Sequence, residues 1–291
     1  MDTYRLGTFT VHRIGLGAMQ LPGPGVMGAP RDHDEAVAVL RRAVELGVDH
    51  IDTAQFYGPD VANELIREAL HPYPESLVIV SKVGALRDEA GGWVPGQRPA
   101  QLRAAVEDNL RTLRTERLGA VNLRLVEGAV PAEDRVALED QLAEMVALRD
   151  EGKIAGVGIS TATALQVQQA IDQAGIVCVQ NAFSLLDQRD ADVLDLCEAQ
   201  GVAYVPYFPL GSAFPHTPKV TENPAVRAVA ERLGATPAQV GLAWLLAHRD
   251  NILLIPGTSR VSHLEENMAV GEVGLSPADV AELEAGAQDR G

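Results

Sequence analysis

The chain has 291 residues, a formal net charge of −16 and a hydrophobic fraction of 46%, which is enough to fill one large core. Strong negative charge repels polyphosphate backbones, so nucleic acid is not an expected partner. No apolar run approaches the roughly 20 residues that a membrane helix needs, and the N-terminus lacks a secretory signal pattern, so we expect a cytoplasmic protein that does not bind membranes.

Short apolar runs alternate with segments of helical period along the whole chain. This alternation predicts a parallel sheet with crossover helices. Several runs are continuously apolar, as is typical of strands buried on both faces. In chain order the eight runs are residues 13–19, 50–53, 77–83, 120–126, 154–160, 176–181, 203–207 and 251–256.

Helical periodicity is clear in residues 34–46, where apolar side chains recur three and four positions apart. Two helices are expected in the last crossover, at 224–233 and directly after the Thr236-Pro237 cap. Residues 4–11 have the pattern of half a short hairpin, and residues 276–285 that of a final helix. The other predicted helices are residues 102–113, 136–149, 165–174, 190–199 and 264–270.

Eight strand–helix units suit a (β/α)8 TIM barrel, a fold of roughly 250 residues. We therefore predict an α/β protein with a single barrel domain over residues 1–291, an N-terminal hairpin and a C-terminal helical tail. A doubly wound open sheet is the alternative, but it usually carries a glycine-rich phosphate turn directly before its first helix. Here the GLGA sequence at 15–18 leads into a Pro/Gly-rich stretch, residues 22–30, which is expected to form a loop, as is 91–95.

Polar side chains stand at the ends of the second and third predicted strands and in the loop after the second. Because active groups in such a barrel come from the C-terminal ends of strands, we expect Asp52, Tyr57 and Lys82 to converge. Taken singly, the aspartate could merely cap a turn and the lysine could simply reach solvent. Together they form a coherent set, since an ammonium held by a carboxylate makes a nearby phenol a better proton donor. This set predicts proton transfer to a carbonyl oxygen as hydride reaches the carbon.

The sequences DTAQFYG at 52–58 and SKVG at 81–84 resemble the most specific motifs of the aldo-keto reductase superfamily, and the resemblance covers nearly the whole chain. It implies that Tyr57 is the proton donor, that Lys82 is its charged partner and that Asp52 holds the lysine. It also implies NADPH/NADP+ as the cofactor and a small-molecule carbonyl compound as the substrate.

The resemblance further implies a set of cofactor-binding positions. Ser160 and Gln180 would hold the nicotinamide carboxamide, and Tyr207 would stack on the nicotinamide ring. Arg260, with His263 as a second candidate, would bind a 2′-phosphate and so favour NADPH over NADH; the alternative for Arg260 is a solvated surface charge. Leu210 and Gly211 would offer backbone N–H groups to the pyrophosphate, and the other implied positions are Gly17, Met19, Asp52, Phe208, Ile255, Gly257, Thr258, Ser259, Glu266 and Asn267.

Two positions depart from the family pattern. Arg124 stands where most members carry a histidine, and Thr161 stands in place of the usual asparagine. A guanidinium only donates hydrogen bonds, so Arg124 is expected to stabilise an alkoxide or to bind an anionic substrate group rather than to shuttle a proton. The Asn-Leu-Arg variant at 122–124 resembles a bacterial, pyridoxal-reductase-like branch, which implies a pyridoxal-like aldehyde.

The leading hypothesis is therefore an NADP-dependent oxidoreductase that reduces an aldehyde or ketone to the alcohol. Because the usual histidine is missing, a redox-neutral isomerase or dehydratase with bound nucleotide stays open, as does a nucleotide-binding protein without turnover. The second alternative is disfavoured because binding alone does not require Tyr57 and Lys82. The substrate pocket is expected to be lined by residues 19–30, 84–94, 127–132 and 211–221. Trp93 and Phe208 are candidates for apolar walls, with ordinary packing as the alternative for each.

Cysteine and histidine spacing gives no indication of a metal site. Cys178 and Cys197 lie in apolar or helix-like contexts, so reduced thiols are expected, with a disulfide as the less favoured alternative. The seven histidines form no HExxH or HxxH pair, so no metal is expected.

Overall fold

The computed structural model describes residues 2–126, 135–211 and 218–288. The described chain begins with the predicted hairpin, in which β1 (Thr3–Leu6) pairs antiparallel with β2 (Phe9–His12). Leu6 and Val11 are buried against residues at the starts of the parallel strands described next, among them Val78. The hairpin therefore closes the end of the barrel opposite the strand C-termini.

Seven parallel strands form one sheet, and each is shorter than the apolar run that predicted it. Their bounds are β3 (Leu16–Gly17), β4 (His50–Asp52), β5 (Val78–Val83), β8 (Ala120–Arg124), β9 (Val157–Ser160), β10 (Cys178–Gln180) and β11 (Ala203–Tyr204). They neighbour one another in this chain order from β3 to β11. Consecutive parallel neighbours joined by helices are the pattern that the alternating sequence predicted.

The eighth predicted run, residues 251–256, closes the ring through isolated bridges instead of a regular ladder. Ile252 bridges to Tyr204 in β11, and Leu254 bridges to Ile14 just before β3, both in parallel orientation. Because both edges of the seven-stranded sheet pair with this one segment, the sheet curls into a closed barrel. The predicted (β/α)8 barrel is thereby confirmed, and its eighth strand pairs with both neighbours through isolated bridges.

Ten α-helices lie within the described ranges. They are α1 (His33–Glu45), α2 (Val61–Leu70), α3 (Pro99–Leu113), α4 (Leu138–Asp150), α5 (Ala164–Ala174), α6 (Ala191–Gln200), α7 (Pro224–Leu233), α8 (Pro237–His248), α9 (Val261–Met268) and α10 (Pro277–Gln288). None of these helices is long and apolar enough to cross a membrane. The sequence pattern did not predict α2, because its buried face includes the polar Asn63 and its start, Asp60, makes no side-chain capping bond.

The prediction of a loop at residues 91–95 is wrong. The chain leaves β5 through Gly84, whose φ of 101° suits glycine, and forms an antiparallel hairpin of β6 (Ala85–Arg87) and β7 (Trp93–Pro95). Strands of three residues are too short for alternation to show in the sequence. Of the other expected pocket loops, residues 127–132 lie outside the described residues, and so does 212–217 of the segment 211–221.

Candidate active site

Asp52, Tyr57 and Lys82 meet at the C-terminal end of the barrel strands. Asp52 is the last residue of β4, and Lys82 lies near the end of its neighbour β5. Tyr57 follows β4 in a turn held by a 3.0 Å bond from its N–H to the Ala54 carbonyl. Their exposed fractions are only 3, 6 and 7%, so the three polar side chains form one nearly dry cluster.

Lys82 joins the carboxylate to the phenol. Its Nζ donates to the Asp52 carboxylate and, at 3.2 Å, to the Thr53 carbonyl oxygen, and it lies 5.0 Å from the centroid of the Tyr57 ring. Burial lowers the pKa of Lys82, but the Asp52 carboxylate and Tyr57 outweigh that effect and raise the pKa above its ordinary value. The side chain is therefore an ammonium at neutral pH, as the sequence predicted.

Gln180 shares the same carboxylate from the other side of the barrel. Its Nε2 donates to Asp52 Oδ2 at 2.5 Å, while its Oε1 is buried and has no hydrogen-bond partner in the described part of the chain. Ser160 pairs with Gln180 across β9 and β10, and its Oγ lies 3.4 Å from Thr161 Oγ1. A buried acceptor without a donor costs free energy, so this oxygen indicates a place for a ligand N–H.

The segment after β11 contributes two aromatic rings and a tight turn. The Tyr207 hydroxyl lies 3.5 Å from Thr161 Oγ1, and the Tyr207 ring meets Phe208 edge-on at 5.1 Å. Gly211 has a φ of 92°, and a Cβ there would lie 2.3 Å from the Pro218 carbonyl oxygen. The Gly211 N–H donates to the Phe208 carbonyl at 2.9 Å, so the turn already uses this donor. The expected contact of the same N–H with the pyrophosphate stays a prediction.

The predicted cofactor-binding positions Gly17, Met19 and those in residues 255–267 lie along the seam of the barrel, where the segment 251–256 and the residues after it meet the start of the first parallel strand. A Cβ on Gly17 would lie 2.5 Å from the Ile255 carbonyl oxygen, so glycine allows the two segments to approach. Thr258 is buried, and its Oγ1 accepts the Arg260 N–H at 3.1 Å. Half-buried along the seam are Met19, Ile255 and Asn267, and exposed are Gly257, Ser259, Arg260, His263 and Glu266.

The N-terminus of α9 holds a residue that sequence reasoning missed. The Val261 N–H, one of the donors expected for a phosphate, donates to Glu35 Oε1 at 2.9 Å. Glu35 lies in the first turn of α1, and no local pattern could connect it with a residue 226 positions later. The Arg260 side chain makes no hydrogen bond or ion pair within the described ranges and extends from this helix end as an available cation.

A buried polar network holds the strand ends that carry the cluster. Thr53 Oγ1 donates to Asn63 Oδ1 at 2.9 Å, Asn63 Nδ2 donates to Asn109 Oδ1 at 2.9 Å, and Ser81 Oγ donates to the same oxygen at 2.6 Å. Thr53 and Ser81 each stand next to a member of the cluster in sequence. The network therefore fixes the ends of β4 and β5 relative to each other.

Arg124 ends β8 opposite Ser160, at the mouth of the barrel. Its guanidinium carbon lies 4.8 Å from the centroid of the Trp93 ring, and Arg87 stacks on the same ring at 3.4 Å. Phe56, next to Tyr57, meets Trp93 edge-on at 5.1 Å. Trp93 is 41% exposed beside Arg124, so its role as an apolar wall stays a prediction. Arg87 was missed because the hairpin that carries it was missed.

Comparison with known proteins identifies the family. The model of the aldo/keto reductase family matches residues 13–287. Pyridoxine 4-dehydrogenase of Escherichia coli (strain K12) is 47% identical over 285 residues, which cover 97% of this chain and 97% of that protein. An uncharacterized oxidoreductase of Schizosaccharomyces pombe is 36% identical, over 97% of this chain and 89% of its own.

Solved structures of aldo-keto reductases agree with this family assignment. A thermostable aldo-keto reductase crystallised with the inhibitor epalrestat superimposes with a TM-score of 0.82 at 29% identity, covering 98% of this chain and all of the other. An aldo/keto reductase of Klebsiella pneumoniae in complex with NADP and acetate gives a TM-score of 0.79 at 26% identity, over 97% and 94% of the two chains. The resemblance seen in the sequence motifs is confirmed, and the chain belongs to the aldo/keto reductase family.

Proposed function

We propose that this chain uses NADPH to reduce the aldehyde of a small, pyridoxal-like molecule to the alcohol, with Asp52, Tyr57 and Lys82 as the catalytic group. As an aldo/keto reductase the chain is an NADP(H)-dependent oxidoreductase that acts on carbonyl compounds. The observation that carries the residue roles is the buried contact of the Lys82 ammonium with both the Asp52 carboxylate and the Tyr57 ring.

The side chains at the barrel mouth fit the proposed cofactor. The unpartnered, buried Oε1 of Gln180 is the acceptor that a nicotinamide carboxamide N–H would satisfy. Gly257 lies exposed beside Gly17, where a backbone without a side chain lets a phosphate approach. Arg260 supplies a cation for the 2′-phosphate at the start of α9, where the helix dipole also favours negative charge.

Bound NADPH supplies a hydride to the carbonyl carbon. As the C=O π pair moves onto oxygen, the Tyr57 hydroxyl gives that oxygen its proton, and the product is the neutral alcohol. Lys82 stabilises the phenolate left behind, because it remains an ammonium in a nearly dry site where charge interactions are strong. Asp52 holds the ammonium in place, and Tyr57 regains its proton from water.

The substrate class rests on the relative at 47% identity, whose name specifies oxidation at the 4-position of pyridoxine. The reverse of such an oxidation is the reduction of a ring-bound aldehyde. The exposed part of the Trp93 ring, held from below by Phe56, offers an apolar surface for such a ring at the barrel mouth. Family membership favours this reaction over the redox-neutral and non-catalytic alternatives, which would retain the nucleotide but leave its absorbance unchanged.

The cellular setting forms part of the same proposal. Cys178 and Cys197 are both unpaired and buried, and burial raises the pKa of each thiol to about 12, so neither is reactive. Free thiols are typical of a reducing compartment, which supports a cytoplasmic location. The net charge of −16 supports small-molecule partners rather than nucleic acid.

The test is NADPH consumption with pyridoxal and a panel of other aldehydes, compared between wild type and Tyr57→Phe. We expect kcat of the variant to fall by about 10²- to 10⁴-fold, which is the usual contribution of a positioned proton donor. Tyr73→Phe is the matched control, because the Tyr73 hydroxyl donates to the Leu113 carbonyl, away from the cluster. The proposal fails if the wild type turns over no aldehyde faster than Tyr57→Phe does.

A further inference from the structure

Two guanidinium groups contact one exposed indole at the barrel mouth. Arg87 comes from the hairpin β6–β7 and Arg124 from the end of β8, and their guanidinium carbons lie 3.4 and 4.8 Å from the centroid of the Trp93 ring. Trp93 is 41% exposed, so the cluster is open to solvent on one side. We call Arg87, Trp93 and Arg124 the arginine clamp.

The backbone around the arginine clamp fixes its position beside the catalytic cluster. Gly84 directly follows β5, and a Cβ there would lie 2.4 Å from the Arg124 carbonyl oxygen, so the start of the hairpin is pressed against the end of β8. Within the hairpin, Arg87 and Trp93 are paired. Phe56 links the clamp to the proton donor, because its ring contacts Trp93 at 5.1 Å and Tyr57 at 5.4 Å.

The hydrogen-bonding capacity of the clamp is only partly used. Arg87 Nη1 donates to the Gly91 carbonyl at 2.7 Å, and Nε is 3.5 Å from the Phe56 carbonyl, whereas Nη2 is buried and has no partner within the described ranges. Arg124 makes no side-chain hydrogen bond or ion pair in residues 2–126, 135–211 and 218–288. The Asp88 carboxylate, close in sequence to Arg87, accepts the Gly92 N–H and shapes the turn.

Two nearby cations repel each other. Burial lowers the pKa of Arg87, and the charge of Arg124 lowers it further, against the opposing effects of Tyr57 and Asp88. A ligand anion bound beside both guanidinium groups would offset this repulsion. Guanidinium groups bind carboxylate and phosphate oxygens through paired, charge-assisted hydrogen bonds.

We propose that the arginine clamp is the specificity subsite for substrate charge, and that the preferred substrates are aromatic aldehydes bearing an anionic oxygen group. The inference rests on the proposed reductase function and specifies its substrate class. The exposed part of Trp93 would contact the aromatic ring, and Arg87 and Arg124 would bind the anionic group. Pyridoxal carries such a group when its ring hydroxyl is ionised, and its 5′-phosphate ester carries a second one.

The first test compares two substrates that differ in charge, 4-carboxybenzaldehyde and its neutral methyl ester. Wild type is expected to prefer the carboxylate in kcat/KM. In Arg124→Met the ratio of the two kcat/KM values should fall by about 10- to 100-fold, mainly through KM of the carboxylate, because a charge-assisted bond to substrate is lost. Arg87→Met should shift the ratio the same way, and Arg87→Lys should restore part of it.

Arg124→Met is the decisive variant, because Arg87 also shapes its hairpin through backbone carbonyls and its replacement could disturb the fold locally. Arg227→Met, which removes one exposed positive charge on α7, is the matched control and should leave the ratio as in wild type. Equal losses on both substrates in Arg124→Met, or a loss confined to kcat, would assign the arginine to alkoxide stabilisation or structure and overturn the proposal. Parallel assays with pyridoxal and its 5′-phosphate identify which anionic group the clamp prefers.

A binding measurement separates this inference from the proposed function. Of the two tryptophans, Trp244 is fully buried, so fluorescence changes on addition of benzoate report on Trp93. The benzoate dissociation constant should rise by about 10-fold or more in Arg124→Met. If no aldehyde is reduced but benzoate binding still depends on the arginines, the reductase proposal fails and the anion subsite stands. If benzoate binds wild type and Arg124→Met equally, the subsite proposal is refuted whatever the turnover.

Discussion

Replacing Asp52 by asparagine tests the central ion pair most directly. The substitution keeps the shape of the side chain and removes its charge. Lys82 would then be a buried cation without a carboxylate, left with the neutral asparagine amide, the Thr53 carbonyl at 3.2 Å and the Tyr57 ring as its partners. The two side chains of the pair are 4 and 8% exposed, so water cannot replace the lost carboxylate. Removing one member of such a buried pair costs about 3–5 kcal/mol of the free energy of unfolding.

The dependence on pH distinguishes this cause from ordinary misfolding. In the wild type the pKa of Lys82 is raised, so the stabilisation by the pair is complete below about pH 10 and is lost only as pH rises through the higher folded-state value. In Asp52→Asn the burial of Lys82 is no longer opposed by a carboxylate and lowers its pKa. The unfolded chain then binds more protons than the folded chain, so the stability of the variant rises with pH, by at most about 1.4 kcal/mol per pH unit.

Urea unfolding of both proteins at pH 7 and pH 9 measures the effect. We expect the stability deficit of Asp52→Asn to be large at neutral pH and smaller at pH 9. Asp195→Asn is the matched control, because it removes a 63% exposed carboxylate paired with Arg249, and surface changes of this kind stay within about 0.5 kcal/mol at either pH. A deficit that is equal at both pH values, or larger at pH 9, would refute the reasoning.

Two further predictions concern the cofactor seam and the polar network. Arg260→Ala should weaken NADPH binding by about 10- to 100-fold but NADH binding by only about 2-fold, because the guanidinium–phosphate bond exists for NADPH alone; nucleotide titrations measure both constants, and equal losses would exclude Arg260 from the 2′-phosphate site. Asn63→Leu should lower the free energy of unfolding by about 3 kcal/mol, because it leaves the buried Thr53 hydroxyl without its acceptor and removes the hydrogen bonds that Asn63 donates to Asn109 and Thr112. A loss under about 1 kcal/mol in urea melts would contradict the role of the network.

The barrel and its catalytic cluster were predictable because their signals are local. Apolar runs of four to seven residues mark strands. The polar residues at the ends of two of these runs, and in the loop after one of them, indicated Asp52, Lys82 and Tyr57 as the cluster. The bond from Gln180 to Asp52 spans 128 positions, so the sequence could assign each residue a role but could not show that they share one carboxylate. The contact of Glu35 in α1 with the start of α9, and the three-residue strands that carry Arg87 and Trp93, left no pattern of their own.

The charges at the barrel mouth fall into two groups that the net charge of −16 conceals. Lys82 is paired with the Asp52 carboxylate and also contacts the Thr53 carbonyl and the Tyr57 ring, which suits its proposed role in proton transfer. Arg87 and Arg124 have no carboxylate within ion-pair distance in the described part of the chain. In an acidic protein, a pair of cations without acidic partners costs free energy unless a ligand compensates it. Tyr57 contacts Lys82 directly and is linked to the arginine clamp through Phe56, so an anionic substrate bound by the clamp would lie near the proposed proton donor.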